Sequence, residues 1–125
     1  MGKSKRRKYE DICNKLIDAK AYSIRSKRIP KESGIYAILQ EYKTVPYKWL
    51  YAGKSKDIKR RIAQHRRGEI QAIDQKIAQT EMTKLSVKFV KVKDPGRNER
   101  KYIACLRTKG PMFQLPYNKQ RGNTK

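Results

Sequence analysis

Basic side chains outnumber acidic ones three to one in this sequence, and this imbalance limits what the chain can fold into. The chain has 33 lysines and arginines against 11 aspartates and glutamates, a formal net charge of +22 at pH 7. Its 125 residues suffice for a single domain with one modest core, so the charge covers much of the surface. Self-repulsion destabilises such a state unless a polyanion offsets it, and nucleic acid is the obvious polyanion. On charge alone, a generic binding protein of the ribosomal or chromatin type fits as well as an enzyme.

The two cysteines and the single histidine are too few for a disulfide framework or a Cys/His zinc site. Cys13 and Cys105 each lie beside apolar neighbours in a helical pattern, so we expect two buried, reduced thiols. No apolar run approaches membrane-spanning length, and the basic N-terminus lacks the apolar segment of a signal peptide. We therefore expect an intracellular protein of the cytoplasm, nucleoid or nucleus that is not secreted and binds no membrane.

The pattern along the chain predicts basic ends around a folded centre. Residues 1–8 are basic with nothing to bury, so we expect a flexible N-terminal arm. Residues 9–33 are predicted to form an amphipathic helix over roughly 9–20, followed by a linker. The main domain then spans residues 34–119, and residues 120–125 form a basic C-terminal tail.

Short strand patterns alternate with helical ones in the main domain, which predicts an α/β fold of the α+β type. Residues 34–40 and 47–53 predict an antiparallel hairpin, with Tyr47, Trp49 and Tyr51 on one side of the second strand. The other predicted elements are a helix over roughly 55–67 capped by Ser55 or Asp57 and ended by Gly68, a helix marked by Ile70, Ile73 and Ile77, a strand over 85–89, and a last helix from Asp94-Pro95 to Gly110-Pro111.

Side chains that can carry charge lie on the apolar faces of two predicted helices. At about 100° per residue, Arg61 and His65 share a face with two isoleucines, and Glu99 shares one with apolar residues of the last helix. Burying an unpaired charge is costly, so these residues need a reason to be there. One reason is a structural Arg61–Glu99 ion pair at the edge of the core. The other is a cleft in which all three converge on a bound phosphate and metal, joined by Tyr36 and Tyr51.

Two tripeptides and the run that follows them carry a family resemblance. Gly34-Ile35-Tyr36 and Tyr51-Ala52-Gly53 resemble the paired signature that names the GIY-YIG nucleases. Arg61 falls ten residues after the second tyrosine and His65 four residues later, at the places of the family's arginine and of a histidine found in some members. Ala52 departs from the pattern, which usually has a larger aliphatic residue there. Since Ala52 should point away from Tyr51, we expect a small packing cost and no loss of chemistry.

The resemblance extends to about residues 33–119. The segment from Glu99 resembles the helix that carries the family's metal-binding glutamate, and Pro116-Tyr117-Asn118 resembles its closing segment, whose asparagine supports the site. The implied fold is a three-stranded antiparallel sheet flanked by helices. The implied activity is hydrolysis of phosphodiester bonds by an endonuclease that holds one divalent ion, magnesium or manganese, through Glu99.

The resemblance also implies a role for each remaining site residue. Arg61 would hold the phosphoryl oxygens as a charged donor. Tyr36 would help to deprotonate the attacking water, which requires nearby positive charge from the metal, Arg61 or the supporting Lys54. Tyr51 and His65 would position water or phosphate, with His65 as an alternative base.

Five basic residues in and around the first helix of the main domain are the candidate contacts to nucleic acid: Lys56, Lys59, Arg60, Arg66 and Arg67. DNA is expected in preference to RNA, and a homodimer on a duplex substrate is compatible with the sequence. The alternative function is a non-catalytic nucleic-acid-binding module that retains the fold. A third interpretation is an architectural basic protein in which Glu99 is dispensable.

Overall fold

A computed structural model describes residues 3–41, 47–68, 84–95 and 99–118, with residues 3–8 described by their backbone alone. The elements are the helices α1 (Lys3–Asp18), α2 (Ile58–Arg67) and α3 (Glu99–Arg107), the strands β1 (Tyr22–Ser23), β2 (Gly34–Gln40), β3 (Lys48–Ser55) and β4 (Leu85–Lys91), and a 3-10 turn at Pro111–Phe113. The helix predicted around Ile70, Ile73 and Ile77 lies outside the described residues. In the part of the chain that is described, every helix is too short or too polar to cross a membrane.

The strands form one antiparallel sheet in the order β1-β4-β2-β3. This confirms the predicted α+β class, although the described sheet has four strands where three were expected. The additional strand is β1, in the predicted linker, where Tyr22 pairs with Val87 and Ser23 with Ser86. A strand of two residues is too short to show alternation in a sequence.

Apolar side chains cover both faces of the sheet, because β2 lies between two other strands and sends alternate residues to opposite sides. On one face, Ile35, Ala37 and Leu39 pack with α1 and α3. On the other face, Tyr36 and Ile38 pack with α2. We call these the α1 face and the α2 face.

A β-bulge in β3 turns Tyr51 toward the α2 face. The pairing with β2 passes from Trp49 directly to Tyr51, so Leu50 is an extra residue in the strand. Tyr47 and Trp49 therefore pack on the α1 face, whereas Leu50 and Tyr51 both pack on the α2 face. The prediction that the three aromatic residues share one side is wrong, because one inserted residue reverses the alternation.

Helix α1 begins at Lys3, inside the segment for which a flexible arm was expected. The backbone of residues 3–8 is therefore helical, which corrects that expectation. Lysine and arginine are good helix formers, and an existing helix extends at little cost once its first turn has formed. The other proposed boundaries remain predictions, and residues 119–125 lie outside the described residues.

The two cysteines form a disulfide that joins α1 to α3, so the prediction of reduced thiols is wrong. The helices pack against the same face of the sheet and bring the Cα atoms of Cys13 and Cys105 to 6.4 Å, within the usual range for a disulfide. Helical spacing places each cysteine on an apolar face, but it does not indicate what lies opposite. Disulfides are typical of oxidising compartments, and the intracellular location remains a prediction.

Reduction of this disulfide is expected to lower the free energy of unfolding by about 3–5 kcal/mol, because it releases a long constrained loop in the unfolded chain. The two cysteines are 92 positions apart. Urea unfolding with and without reductant measures the difference. The Cys13→Ala/Cys105→Ala variant is the control and should not respond to reductant. An unchanged midpoint for the reduced wild-type chain would contradict the expectation.

Candidate active site

Three aromatic side chains from three different elements meet on the α2 face of the sheet. The hydroxyl oxygen of Tyr36, on β2, lies 2.8 Å from Nε2 of His65, on α2, and both side chains are almost fully buried. The ring of Tyr51, on β3, lies 5.1 Å from the His65 ring and 6.3 Å from the Tyr36 ring. The structure thus brings together three of the predicted site residues. Tyr51 is among them because the bulge in β3 turns its side chain toward the α2 face.

Local sequence signals determine where α2 starts and ends and which of its faces is buried. The helix starts after Asp57, whose carboxylate accepts a hydrogen bond from the backbone nitrogen of Arg60 at 3.0 Å. It ends at Gly68, which adopts the left-handed conformation that favours glycine. Ile58, Ile62 and His65 are its buried residues, which confirms the predicted face. Because two isoleucines anchor the same face, the imidazole is directed into the sheet.

Gly53 leaves the space that the two tyrosines occupy. A Cβ atom at this position would lie 2.8 Å from the Tyr36 hydroxyl oxygen and 3.1 Å from Cε2 of Tyr51. Glycine is therefore needed here for packing, since nothing in its backbone conformation requires it. In the signature, this glycine allows the two tyrosines to approach each other.

The substitution Gly53→Ala is expected to lower the cleavage rate by about tenfold, because the displaced tyrosines of the candidate site lose their alignment. Tyr36 is buried and has little room to move away from the added methyl group. Single-turnover cleavage at saturating protein measures the effect. Gly110→Ala is not a suitable control because its backbone has φ 138°, so Ala63→Gly on α2 serves to report general destabilisation. A wild-type rate for Gly53→Ala would show that the spacing is unimportant.

Two positive charges act on Glu99, at the start of α3. Burial raises the pKa of its carboxyl group, and the positive charges of Lys54 and Arg61 offset part of that effect. These electrostatic interactions link residues of β3 and α2 to one carboxylate of α3. The arrangement accommodates both the structural ion pair and the catalytic cleft considered above, because either requires Arg61 near Glu99.

Gln64 belongs to this neighbourhood, and sequence reasoning missed it. Its Oε1 atom accepts a hydrogen bond from Nη1 of Arg61 at 3.3 Å. The contact aligns the guanidinium group along α2. A polar residue three positions after Arg61, on the same side of the helix, was the available signal.

The closing segment, residues 116–118, is hydrogen-bonded to β3 on either side of Tyr51. The side-chain amide of Asn118 donates to the carbonyl oxygen of Ala52 at 2.9 Å and accepts from its backbone nitrogen at 2.8 Å. The backbone nitrogen of Tyr117 donates to the carbonyl oxygen of Leu50, the bulged residue, at 2.8 Å. Ala52 itself packs on the α1 face, away from Tyr51, as the sequence predicted. Asn118 thus holds the strand that positions Tyr51, and it does not itself belong to the group of Tyr36, Tyr51 and His65.

The candidate nucleic-acid contacts differ in exposure. Lys56, Lys59, Arg60 and Arg67 are exposed, whereas Arg66 is half-buried. Four of the five side chains are therefore open to solvent around α2, and their role in binding remains a prediction.

The acidic donors available suit one kind of metal ion. Among the described residues, no group of three or more His, Cys, Asp or Glu side chains could hold a metal. Zinc, which takes three or four protein ligands, does not fit such a set. Magnesium does fit, because it ordinarily binds through one or two carboxylates and completes its shell with water and phosphate oxygens.

Comparison with known proteins identifies the family. A model of the GIY-YIG catalytic domain matches residues 32–110, more than half of the chain. The match includes both tripeptides, α2 and Glu99, and it ends before Asn118. No curated protein and no solved structure shows significant similarity to the chain. The extent of the family match confirms the resemblance drawn from the motifs, and the chain belongs to the GIY-YIG family of nuclease domains.

Proposed function

We propose that this chain is a divalent-metal-dependent endonuclease that hydrolyses phosphodiester bonds of nucleic acid, DNA in preference to RNA. The observation that carries the proposal is the hydrogen-bonded pair of Tyr36 and His65, one helical turn from Arg61, whose charge acts on Glu99. Gly53 lies against Tyr36 and Tyr51, and the next residue, Lys54, acts electrostatically on Glu99. These contacts support a site in which Tyr36 and His65 transfer a proton and Glu99 lies among positive charges.

Arg61 and Lys54 would bind the phosphate that is attacked. Their charges favour the negative charge that develops on phosphoryl oxygens, and such help is largest where donors are fixed before the reaction. The hydrogen bond from Arg61 to Gln64 fixes the guanidinium group. Arginine also offers a planar fork of donors that matches phosphate oxygens.

Tyr36 and His65 would handle the proton of the attacking water. The hydroxyl oxygen of Tyr36 lies at hydrogen-bond distance from Nε2 of His65, so a proton taken up at one atom can pass to the other. Since both groups are buried, the pair keeps its geometry as substrate enters. Tyr51 packs against both rings and holds them in register.

Glu99 would hold the metal ion, with water and substrate oxygens as the other ligands. When bound, a magnesium or manganese ion stabilises the charge on the leaving oxygen and on the phosphoryl group. The nearby cations do not exclude such an ion, because the substrate brings negative charge into the same site.

Cleavage of a substrate panel tests the proposal. The chain is incubated with duplex, branched and single-stranded DNA and with duplex RNA, each with magnesium or with a chelator. We expect DNA to be cut in magnesium only. Binding without cleavage of any substrate in magnesium or manganese would overturn the proposal in favour of the non-catalytic module. Equal cleavage in chelator would overturn the metal dependence.

A homodimer on duplex DNA is part of the proposal, because one site cuts one strand. A supercoiled plasmid distinguishes the possibilities by the order in which its products appear. Linear DNA that forms without accumulation of nicked circles supports paired sites acting together. Complete conversion to nicked circles before any linear product would show that single copies act alone.

A further inference from the structure

A second concave site lies at the end of the sheet where β3 and β4 finish. The cavity has a volume of about 560 Å³ and is lined by Ser33, by residues 54–56 and by residues 93–95. This volume is in the ordinary range of ligand pockets. The lining residues come from three segments that are distant in sequence and are joined only by the fold.

Two serine-centred turns fix the walls of this pocket. The hydroxyl group of Ser33 donates to the carbonyl oxygens of Val92 at 2.6 Å and Lys93 at 3.0 Å. The backbone nitrogen of Val92 in turn donates to the carbonyl oxygen of Ser33. On the opposite wall, the hydroxyl group of Ser55 bonds to the backbone of Asp57 in both directions at 2.9 Å. Lys93 and Lys56 are thus carried on backbone that is held in place.

The charges of the pocket favour an anion. Three lysines, Lys54, Lys56 and Lys93, line it together with one carboxylate, that of Asp94. Lys56 and Lys93 are exposed, so their ammonium groups reach solvent and a ligand can approach them. Both serine hydroxyls already bond to the backbone, which leaves ammonium groups as the main binding groups.

Lys54 connects the pocket to the candidate active site. It lines the cavity, and it directly follows Gly53, which lies against Tyr36 and Tyr51 of the candidate site. Ser55, which also lines the cavity, pairs with Gly34, two residues before Tyr36 on β2. An anion in the pocket is therefore next to the phosphate that Arg61 and Glu99 would bind.

We propose that this pocket binds the backbone phosphate that flanks the scissile phosphate on the cleaved strand. The inference rests on the proposed function and adds a second phosphate subsite to it. Lys56 and Lys93 carry the subsite, and Lys54 is shared between the two phosphates. The Ser33 turn is a positioning element, because its hydroxyl group holds the backbone of Lys93.

The test combines lysine variants with DNA that carries one uncharged linkage. A methylphosphonate replaces each phosphate near the cut in turn, in either strand, and binding is measured in chelator over a range of salt concentrations. The chains compared are the wild type, Lys56→Ala/Lys93→Ala, the charge-conserving Lys56→Arg/Lys93→Arg, and Lys27→Ala/Lys109→Ala. The last pair removes the same charge from two exposed lysines that do not line the pocket.

One neutral linkage beside the cut, in the cleaved strand, is expected to reduce the wild-type slope of log affinity against log salt by about 0.9. The Lys56→Ala/Lys93→Ala chain should not respond to that linkage, because its contact is already lost. The arginine pair and the Lys27→Ala/Lys109→Ala control should respond as the wild type does. Thermal unfolding of all four chains verifies that the surface variants fold.

The outcomes separate this inference from the function on which it rests. If wild-type protein cuts in magnesium but the alanine pair responds to every neutral linkage as the wild type does, the subsite is wrong and the nuclease function stands. If the sensitive linkage lies in the uncut strand, the assignment to the cleaved strand is overturned. If the wild type cuts no substrate in magnesium or manganese, the proposed function itself fails.

Discussion

The Glu99→Gln variant is expected to cleave at least about 1000-fold more slowly than the wild type and to bind nucleic acid nearly as well. The substitution removes a carboxylate that would hold the metal, while the cations that attract phosphate remain. The amide has nearly the same shape, so packing at the start of α3 changes little. Single-turnover cleavage in magnesium and binding in chelator measure the two effects separately.

A control substitution shows whether loss of a carboxylate elsewhere in the chain has the same effect on cleavage. Glu10 is exposed on α1 and takes part in none of the contacts described for the candidate site, and Glu10→Gln makes the same chemical change there. We expect its cleavage rate to remain close to the wild-type rate. Wild-type cleavage by Glu99→Gln would show that the metal assignment is wrong. Loss of binding along with cleavage would show instead that Glu99 supports the structure of the nucleic-acid surface.

The Arg61→Ala variant is expected to lose on the order of 100-fold in cleavage rate, the usual cost of removing one fixed donor to developing charge. The charge of Arg61 acts on Glu99, and its guanidinium group is aligned by a hydrogen bond to Gln64. We therefore expect the loss of this charge to affect the candidate site directly. Its removal also leaves the half-buried carboxylate of Glu99 with less compensation, which raises the pKa of that group further. Cleavage at saturating protein separates this loss from weaker binding.

The neighbouring residue supplies the control for this prediction. Arg60 is exposed on the outer side of α2, and only its backbone takes part in the helix cap. Arg60→Ala removes the same charge from a position one residue away and should cost far less in rate. Equal losses of rate at both positions would show that Arg61 acts only as part of a basic surface.

The helical half of the candidate site could be predicted because helical spacing determines direction. Ile58 and Ile62 establish which face of α2 is buried, and His65 follows on that face. The fold class followed in the same way from alternating strand and helix patterns. Neither inference requires knowledge of which elements become neighbours in space.

The features that sequence analysis missed depend on such neighbours or on one inserted residue. The bulge at Leu50 reverses the face of Tyr51, and no local signal in residues 47–53 marks it. The pairing of Cys13 with Cys105 depends on how α1 and α3 pack. The role of Gly53 depends on a tyrosine from another strand, since the glycine itself shows no unusual backbone conformation.

Among the described strands β3 is at the edge of the sheet, so its outer side presents backbone groups to which another molecule could add a strand. The closing segment occupies those groups at Leu50 and Ala52. The amide of Asn118 bonds to Ala52 as the peptide of a neighbouring strand would, without providing a further edge. The contacts that hold Tyr51 in register therefore also protect this edge from intermolecular strand pairing. One side chain thus contributes both to the order of the candidate site and to resistance against aggregation.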